Sequence, residues 1–434
     1  LSMNDFSSIW DFNYQYQNSD RAQNFCSLVN NSHLRADSVF VTLYSRNDRW
    51  TFVMFPFDVK VADIKTIENG TTNWVIRKYD GAKRAAGEVN DTWIRMTDSD
   101  ILNAGEGYII QSSRYVGNSW QEYSGFRIKA VNNANKNNIF TSNDISVSLN
   151  EFQSEFAHNR GWNLIGNPYP CYYDTRFMDF TAPITVWNMR DNTYTAYSPV
   201  DDSYVLCPGE AFFVQCPVDN KVISFNKYGR QTNRTARTLE EVRTRAKAGQ
   251  LTDVKRIVVN LTLSDDNSTD RTRIVFNDNS SIDYEMDKDA NKFVSLAASV
   301  PQLYSYYNNV NYSINERPLL DGVVALYART PSRAVYTIAL QEEIDGYDIV
   351  LEDKELNKRV VLDSKTTYMF NASSVDNANR FVVYLQSETT SIGSVNKTEE
   401  IENSEGIYTI SGVRVSEPLS KGIYIQNGKK IIIK

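Results

Sequence analysis

The stretches "RWTFVMFPFDV" (49–59) and "GWNLIGNPYPC" (161–171) follow one plan, with Trp50 and Trp162 standing 112 residues apart. In each, a tryptophan opens an apolar run that ends on proline: Phe55-Pro56-Phe57 in one, Asn167-Pro168-Tyr169-Pro170 in the other. Proline cannot donate to a ladder, so a strand must end or reach a sheet edge there. Two further blocks follow in the same order. "WVIRKYDGAKRA" (74–85) corresponds to "VWNMRDNTYTA" (186–196), an aromatic strand running into a polar turn. "ILNAGEGYIIQ" (101–111) corresponds to "YVLCPGEAFFVQ" (204–215), a Gly-Glu bend before large apolar residues. Gly105 and Gly209 are 104 residues apart, as are Gln111 and Gln215, so the copies differ in loop length. Residues 1–230 are expected to form one β structure from two copies, about 40–115 and 155–220. The copies are expected to pack face to face or side by side.

The rest of the chain extends this pattern. "RIVVNLTL" (256–263), "YDIVLED" (347–353) and "RFVVYLQ" (380–386) are short β-branched and aromatic runs separated by Asn, Asp, Gly and Pro. Such punctuation indicates sandwiches or barrels. The fold class is therefore all-β, with tandem β-sandwich domains: the duplicated half, then a second sandwich over 252–388. Residues 231–251 read as a linker or short helix. Within them, Thr238 and Glu241 form a capping box before "LEEVRTRAKA" (239–248), and Gly249 is a stop. Residues 389–406 are a polar, acidic linker. The chain has 434 residues and a net charge of −7, which argues against a nucleic-acid surface. No stretch is apolar and long enough to be a membrane-spanning helix. The chain opens at Leu1 without a leader, as a mature or truncated chain would.

The last segment, "IYTISGVRVSEPLSKGIYIQNGKKIIIK" (407–434), ends in a hairpin. Asn427-Gly428 suits a type I′ turn, and Lys429 and Lys430 guard a sticky isoleucine strand. Two dozen residues are too few to fold alone. The segment resembles the C-terminal sorting signal of type IX secretion substrates, surface proteins of certain Gram-negative bacteria. The resemblance rests on Gly412, Gly422, Ile423, Tyr424, Asn427, Gly428, Lys429, Lys430 and Lys434. "GWNLIGNPYP" (161–170) and "YEMDKDANKF…PQLYS" (284–305) are similar to segments found upstream of such tails. The resemblance implies export across the outer membrane, recognition of the tail by the secretion machinery, and a place outside or on the cell surface. The family's sorting domain is usually a complete small immunoglobulin-like sandwich; here the region after the linker is shorter.

The residue inventory gives little to catalysis. There is no nucleophile elbow, P-loop, HExxH or dinucleotide glycine pattern. The two histidines, His33 and His158, lie near no Ser or Cys motif, and His158 reads as a turn residue. Cys171, Cys207 and Cys216 read either as buried thiols or as the source of one disulfide. Asp287, Asp289 and Asn291 have the spacing of a calcium-loop start, without its glycine at position six. Trp74, Trp187, Tyr306 and Tyr307, with Trp93 and Trp120, are candidates for stacking on sugar rings, against the alternative of core positions. The expected function is a non-catalytic, structural or adhesin-like surface protein. Its alternative is a carbohydrate-binding appendage of a secreted enzyme whose catalytic domain lies outside this chain.

Overall fold

The computed structural model describes residues 11–13, 29, 40–131, 141–202, 204–217, 221–237, 256–331, 334–372, 376–387, 407–409, 414–415, 421–426 and 429–433. Nearly all regular structure among them is strand. Leu1–Ser387 form one compact unit and Glu388–Lys434 another. The helix expected over 238–248 and the linker 389–406 lie outside the described residues.

The two copies share strand order and register. In the first, Thr51–Met54, Gly107–Val116, Thr71–Tyr79 and Trp93–Arg95 lie side by side in that order. In the second, Trp162–Gly166, Ala211–Gln215, Ile184–Asn188 and Thr193–Tyr197 do the same. Thr51 pairs with Ile110, which brings Trp50 level with Gln111; Trp162 pairs with Gln215. Each copy adds an outer sheet: Phe40–Arg46, Tyr123–Lys129 and Lys65–Thr66 in one, Ile145–Ser148, Val222–Phe225 and Met178–Asp179 in the other. A closed core fills the space between inner and outer sheets of each copy, around Val53, Tyr108 and Phe126 or around Ile165, Phe212 and Phe225. The sequence reading of a polar turn at Asp80-Gly81 gains detail. Asp80 caps a one-turn helix, Gly81–Ala85, its carboxylate accepting from the N–H groups of Ala82 and Lys83 at 3.0 and 3.1 Å.

The inner sheets pack face to face. Phe52, Tyr79, Trp93 and Ile109 meet Trp162, Trp187, Tyr194 and Phe213 in a third core. Phe52 stacks on Trp187 at 5.6 Å between ring centres, and Tyr79 meets Phe213 edge-on at 4.6 Å. Pairs of this kind contribute about 0.5–1.5 kcal/mol beyond their burial. Main chains also touch: Val53 bridges Glu210, and Ile165 bridges Glu106. By the repeat spacing, Val53 matches Ile165 and Glu106 matches Glu210. The two bridges are therefore the same contact made twice, as in an isologous interface. The approach needs missing side chains. A Cβ on Gly166 would lie 2.4 Å from the Met54 Cβ and 2.8 Å from the Glu210 carbonyl oxygen; one on Gly107 would lie 2.4 Å from the Leu164 Cγ.

From Ile257 to Ser387 the strands belong to one eleven-stranded sheet. Its path runs from Lys358–Leu362 through Val310–Arg317 to Tyr368–Asn371. The ends meet over one core: Phe370 from the last strand packs on Phe381 from the third at 4.8 Å, and the Tyr368 hydroxyl donates to Asp353 at 2.8 Å. A single sheet folded over itself thus supplies both layers of the expected second sandwich. This lobe joins the second copy through ion pairs around the buried Arg273. Arg271 binds Asp202 and the Ala196 carbonyl, Arg273 binds Asp201, and Arg256 binds both Asp201 and Glu316. Arg84 of the first copy also reaches it, its guanidinium 4.2 Å from the Phe293 ring centre and donating to Asn291 at 2.7 Å.

The glycine contacts give a paired expectation. Gly166→Ala is expected to cost about 1–3 kcal/mol in urea unfolding, because main chain must give way. Gly105→Ala has open space but a φ of +82°, and is expected to cost about 1–2 kcal/mol through backbone strain alone. An unchanged midpoint for Gly166→Ala would mean that the copies do not approach at that point.

Candidate functional site

The inner sheet of the first copy, the outer sheet of the second and the proline turns between them enclose a cleft of about 770 Å³. That volume falls in the range of ligand sites. Glu106 stands on its wall. Its carboxylate accepts from Lys78 Nζ at 2.9 Å, the Tyr108 hydroxyl at 2.9 Å and Asn103 Nδ2 at 3.2 Å. Burial pushes its carboxyl up, but the Lys78, Tyr108 and Asn103 donors hold it below the usual carboxylate range. Glu106 is thus ionised at neutral pH and its proton-accepting power is low, which suits binding better than acid–base chemistry. Its match in the second copy, Glu210, is buried, accepting from the Tyr204 hydroxyl and from the Cys207 N–H at 2.7 Å. The first copy's glutamate faces the 770 Å³ cleft, whereas Glu210 borders a small recess of about 100 Å³ beside Arg234.

The sugar-stacking candidates separate. Trp187 is 7% exposed, stacked on Phe52 and donating its ring N–H to the Trp50 carbonyl at 2.9 Å. It is a core residue at the junction of the copies and offers no platform. Trp74 is half-buried, edge-on to Phe126 at 5.7 Å, and packs on the first copy's core. Trp93 lies against Phe52 and Tyr79 in the central core. Tyr306 remains 37% exposed and donates to Asn309 at 2.8 Å; Tyr307 is half-buried under Arg317. Trp120 is 45% exposed, opposite Tyr115 on the strand pair Gly107–Val116 and Ser119–Gln121.

The calcium candidates do not converge. Asp289 is buried, its carboxylate accepting from the N–H groups of Glu285 and Glu316 at 2.8 and 2.7 Å. Burial pushes its carboxyl well above the ordinary range. The Asn291 side-chain oxygen is taken by Arg84, and Asp287 is exposed. Asp289 pins a loop, and among the described residues no cluster of three or more His, Cys, Asp or Glu is placed to hold a metal.

The cysteine alternatives resolve as well. Cys171, Cys207 and Cys216 are buried and carry no disulfide. Burial pushes the thiols of Cys171 and Cys207 up to about 12. His158 sits in a 3₁₀ turn, Ala157–Asn159, with its ring near Tyr284, and burial lowers its pKa. No helix among the described residues is long and apolar enough to cross a membrane.

In the C-terminal unit the expected hairpin is part of a larger sheet. Arg414–Val415, Ile407–Thr409, Gly422–Gln426 and Lys429–Ile433 form four antiparallel strands in that order. Gln426 pairs with Lys429, and Ile423 with Ile432. Tyr424 is buried and Ile431 and Ile433 half-buried on one face; Ile423 and Ile432 are exposed beside Lys430 on the other. Gly412, Asn427, Gly428 and Lys434 lie outside the described residues.

Two residues carry tests. Trp187→Ala is expected to lower stability by about 3–5 kcal/mol in denaturant unfolding, as truncation of a buried tryptophan does. A folded, equally stable Trp187→Ala chain would return that residue to the surface. The raised thiols favour the folded state below their unfolded value near 9, and that contribution is lost as pH rises toward about 12. The stability of the Cys171→Ala, Cys207→Ala double variant, followed from pH 8 to 11, is therefore expected to fall less steeply than that of the parent. Parallel profiles would exclude the thiols as its source.

Residues 171–385, just under half of the chain, match the family model described as a domain of unknown function, DUF8693. The match runs from the proline turn of the second copy to the last long strand of the folded sheet, across the Arg271–Asp202 junction. No curated protein and no solved structure matches the chain.

Proposed function

We propose that this chain is a non-catalytic, structural or adhesin-like part of a secreted surface protein, exported through its C-terminal unit by a type IX-like machinery. The observation that carries it is the exposed apolar stripe on that unit. Glu388–Lys434 gather as a unit of their own, and its sheet turns Ile423 and Ile432 outward, the latter 63% exposed. A small antiparallel sheet with an uncovered isoleucine pair and a flanking lysine suits a signal read by another protein. Gly422, Ile423, Tyr424, Lys429 and Lys430, five of the residues on which the sorting-tail resemblance rests, lie in its last two strands.

The non-catalytic part draws support from where reactive groups lie. The described thiols are buried, Glu106 is tied to three donors, and the buried carboxylates Asp174, Asp270 and Asp353 are paired with Arg176, Lys292 and Arg380. The carbohydrate-binding alternative keeps one specific observation, the exposed rings of Trp120 and Tyr306.

A reporter carrying residues 388–434 at its C-terminus, expressed in a type IX-competent host, is expected to reach the medium or cell surface. Ile423→Asp with Ile432→Asp in that fusion is expected to trap it inside the cell. A parent fusion retained in the periplasm would reject the C-terminal unit as a sufficient signal. Glycan-array binding by the full chain that vanishes in Trp120→Ala would favour the alternative.

A further inference from the structure

Among the described residues, the outer sheets of the two copies differ by one strand. In the first copy, Asp11–Asn13 lies parallel against the outer edge of Phe40–Arg46, with Asn13 opposite Tyr44. In the second, Ile145–Ser148 is the terminal strand of its sheet, and no strand pairs with its outer edge among the described residues. The two edges correspond residue by residue. Phe126 pairs with Leu43 and Thr66; Phe225 pairs with Ile145 and Met178. Ser146 therefore stands where Tyr44 stands. Leu149 donates its N–H to the Lys221 carbonyl at 2.7 Å, which sets the phase of the ladder. Val147 and Ile145 then bond inward, and the main-chain groups of Ser146 and Ser148 point away from the sheet. All four residues of the strand line the 770 Å³ cleft.

We propose that the edge of Ile145–Ser148 is a docking site for an extended peptide of a partner protein, added as a parallel strand in which aromatic and polar residues alternate. The strand seated on the matching edge shows the kind of occupant. It lies in "IWDFNYQYQ" (9–17), where Trp10, Phe12, Tyr14 and Tyr16 alternate with Asp11, Asn13, Gln15 and Gln17. Strand addition takes its affinity from main-chain bonds and its specificity from every second side chain. Here the cleft is lined by apolar Phe152, Leu164 and Pro168 together with charged Lys78 and Asp80.

A fluorescent peptide of residues 9–17, titrated against the full chain, tests this by anisotropy. Saturable binding is expected, weakened at least about tenfold by Ser146→Pro and unchanged by Ser146→Ala. Proline at Ser146 removes an N–H that the sheet's own ladder does not use, so the fold is expected to persist, with an unaltered circular-dichroism melt. Two modified peptides keep the test open should that variant unfold. One is N-methylated at Phe12 and Tyr14, the other at Asp11 and Asn13, and only one of them is expected to bind. Absence of saturable binding overturns the proposal. So does equal binding of both methylated peptides, or full binding by a folded Ser146→Pro chain.

Discussion

The structure of the first 230 residues depends on main chain meeting main chain at the junction of the two copies. The bridges Val53–Glu210 and Ile165–Glu106 bring two sheets closer than side chains normally permit. They do so because Gly107 and Gly166 leave space at the contact. The aromatic cluster of Phe52, Trp187, Tyr79 and Phe213 then closes over that contact. Burial supplies most of the stabilisation, but the glycines set the distance at which it is gained. Each copy also has its own core behind its inner sheet, so the cluster is a third core shared between two sandwiches.

The two junctions in this unit share one aromatic cluster and differ in the part that charge plays. Copy meets copy through rings and backbone; the second copy meets the folded sheet through rings again, Phe213 stacking on Phe293 at 4.6 Å, and through Arg271, Arg273 and Arg256 with Asp201 and Asp202. Arg273 is buried while Arg271, Arg256 and Asp202 are half-buried, so removing both acidic partners leaves guanidinium groups that water reaches poorly. A charged junction of this kind tolerates few arrangements. The family match spans it, from Cys171 to Leu385, so the later strands of the second copy and the folded sheet are carried together in that model.

Much of this was legible in the sequence. The Trp-to-proline runs and the Gly-Glu bends recur in the same order because each marks a backbone requirement: a strand end, or a positive φ at Gly105 and Gly209. Side-chain destinations were harder to read. Trp187 sits in a strand that alternates like any other, and its burial comes from Phe52, 135 residues earlier. Arg84 gave no local signal, since Phe293 and Asn291 lie more than 200 residues away. The calcium spacing at Asp287, Asp289 and Asn291 failed for a related reason. Oxygen donors counted along a chain are free for a metal only if no distant N–H claims them first, and Glu316 and Arg84 did. The second sandwich was legible as strands, but that they form one folded sheet depends on long-range pairing which no local pattern encodes.

The twofold character of the copy–copy contact has a consequence for how the chain holds together. An isologous face is complementary to itself, so two separate copies would associate to a degree set by their concentration. Joined through the segment that separates Val131 from Ile145, they meet at an effective concentration on the order of millimolar, set by the tether and unaffected by dilution. The duplication thus turns a concentration-dependent dimer interface into a permanent feature of one chain. It also frees the copies to diverge: one glutamate of the matched pair has been buried, while the other lines an open cleft.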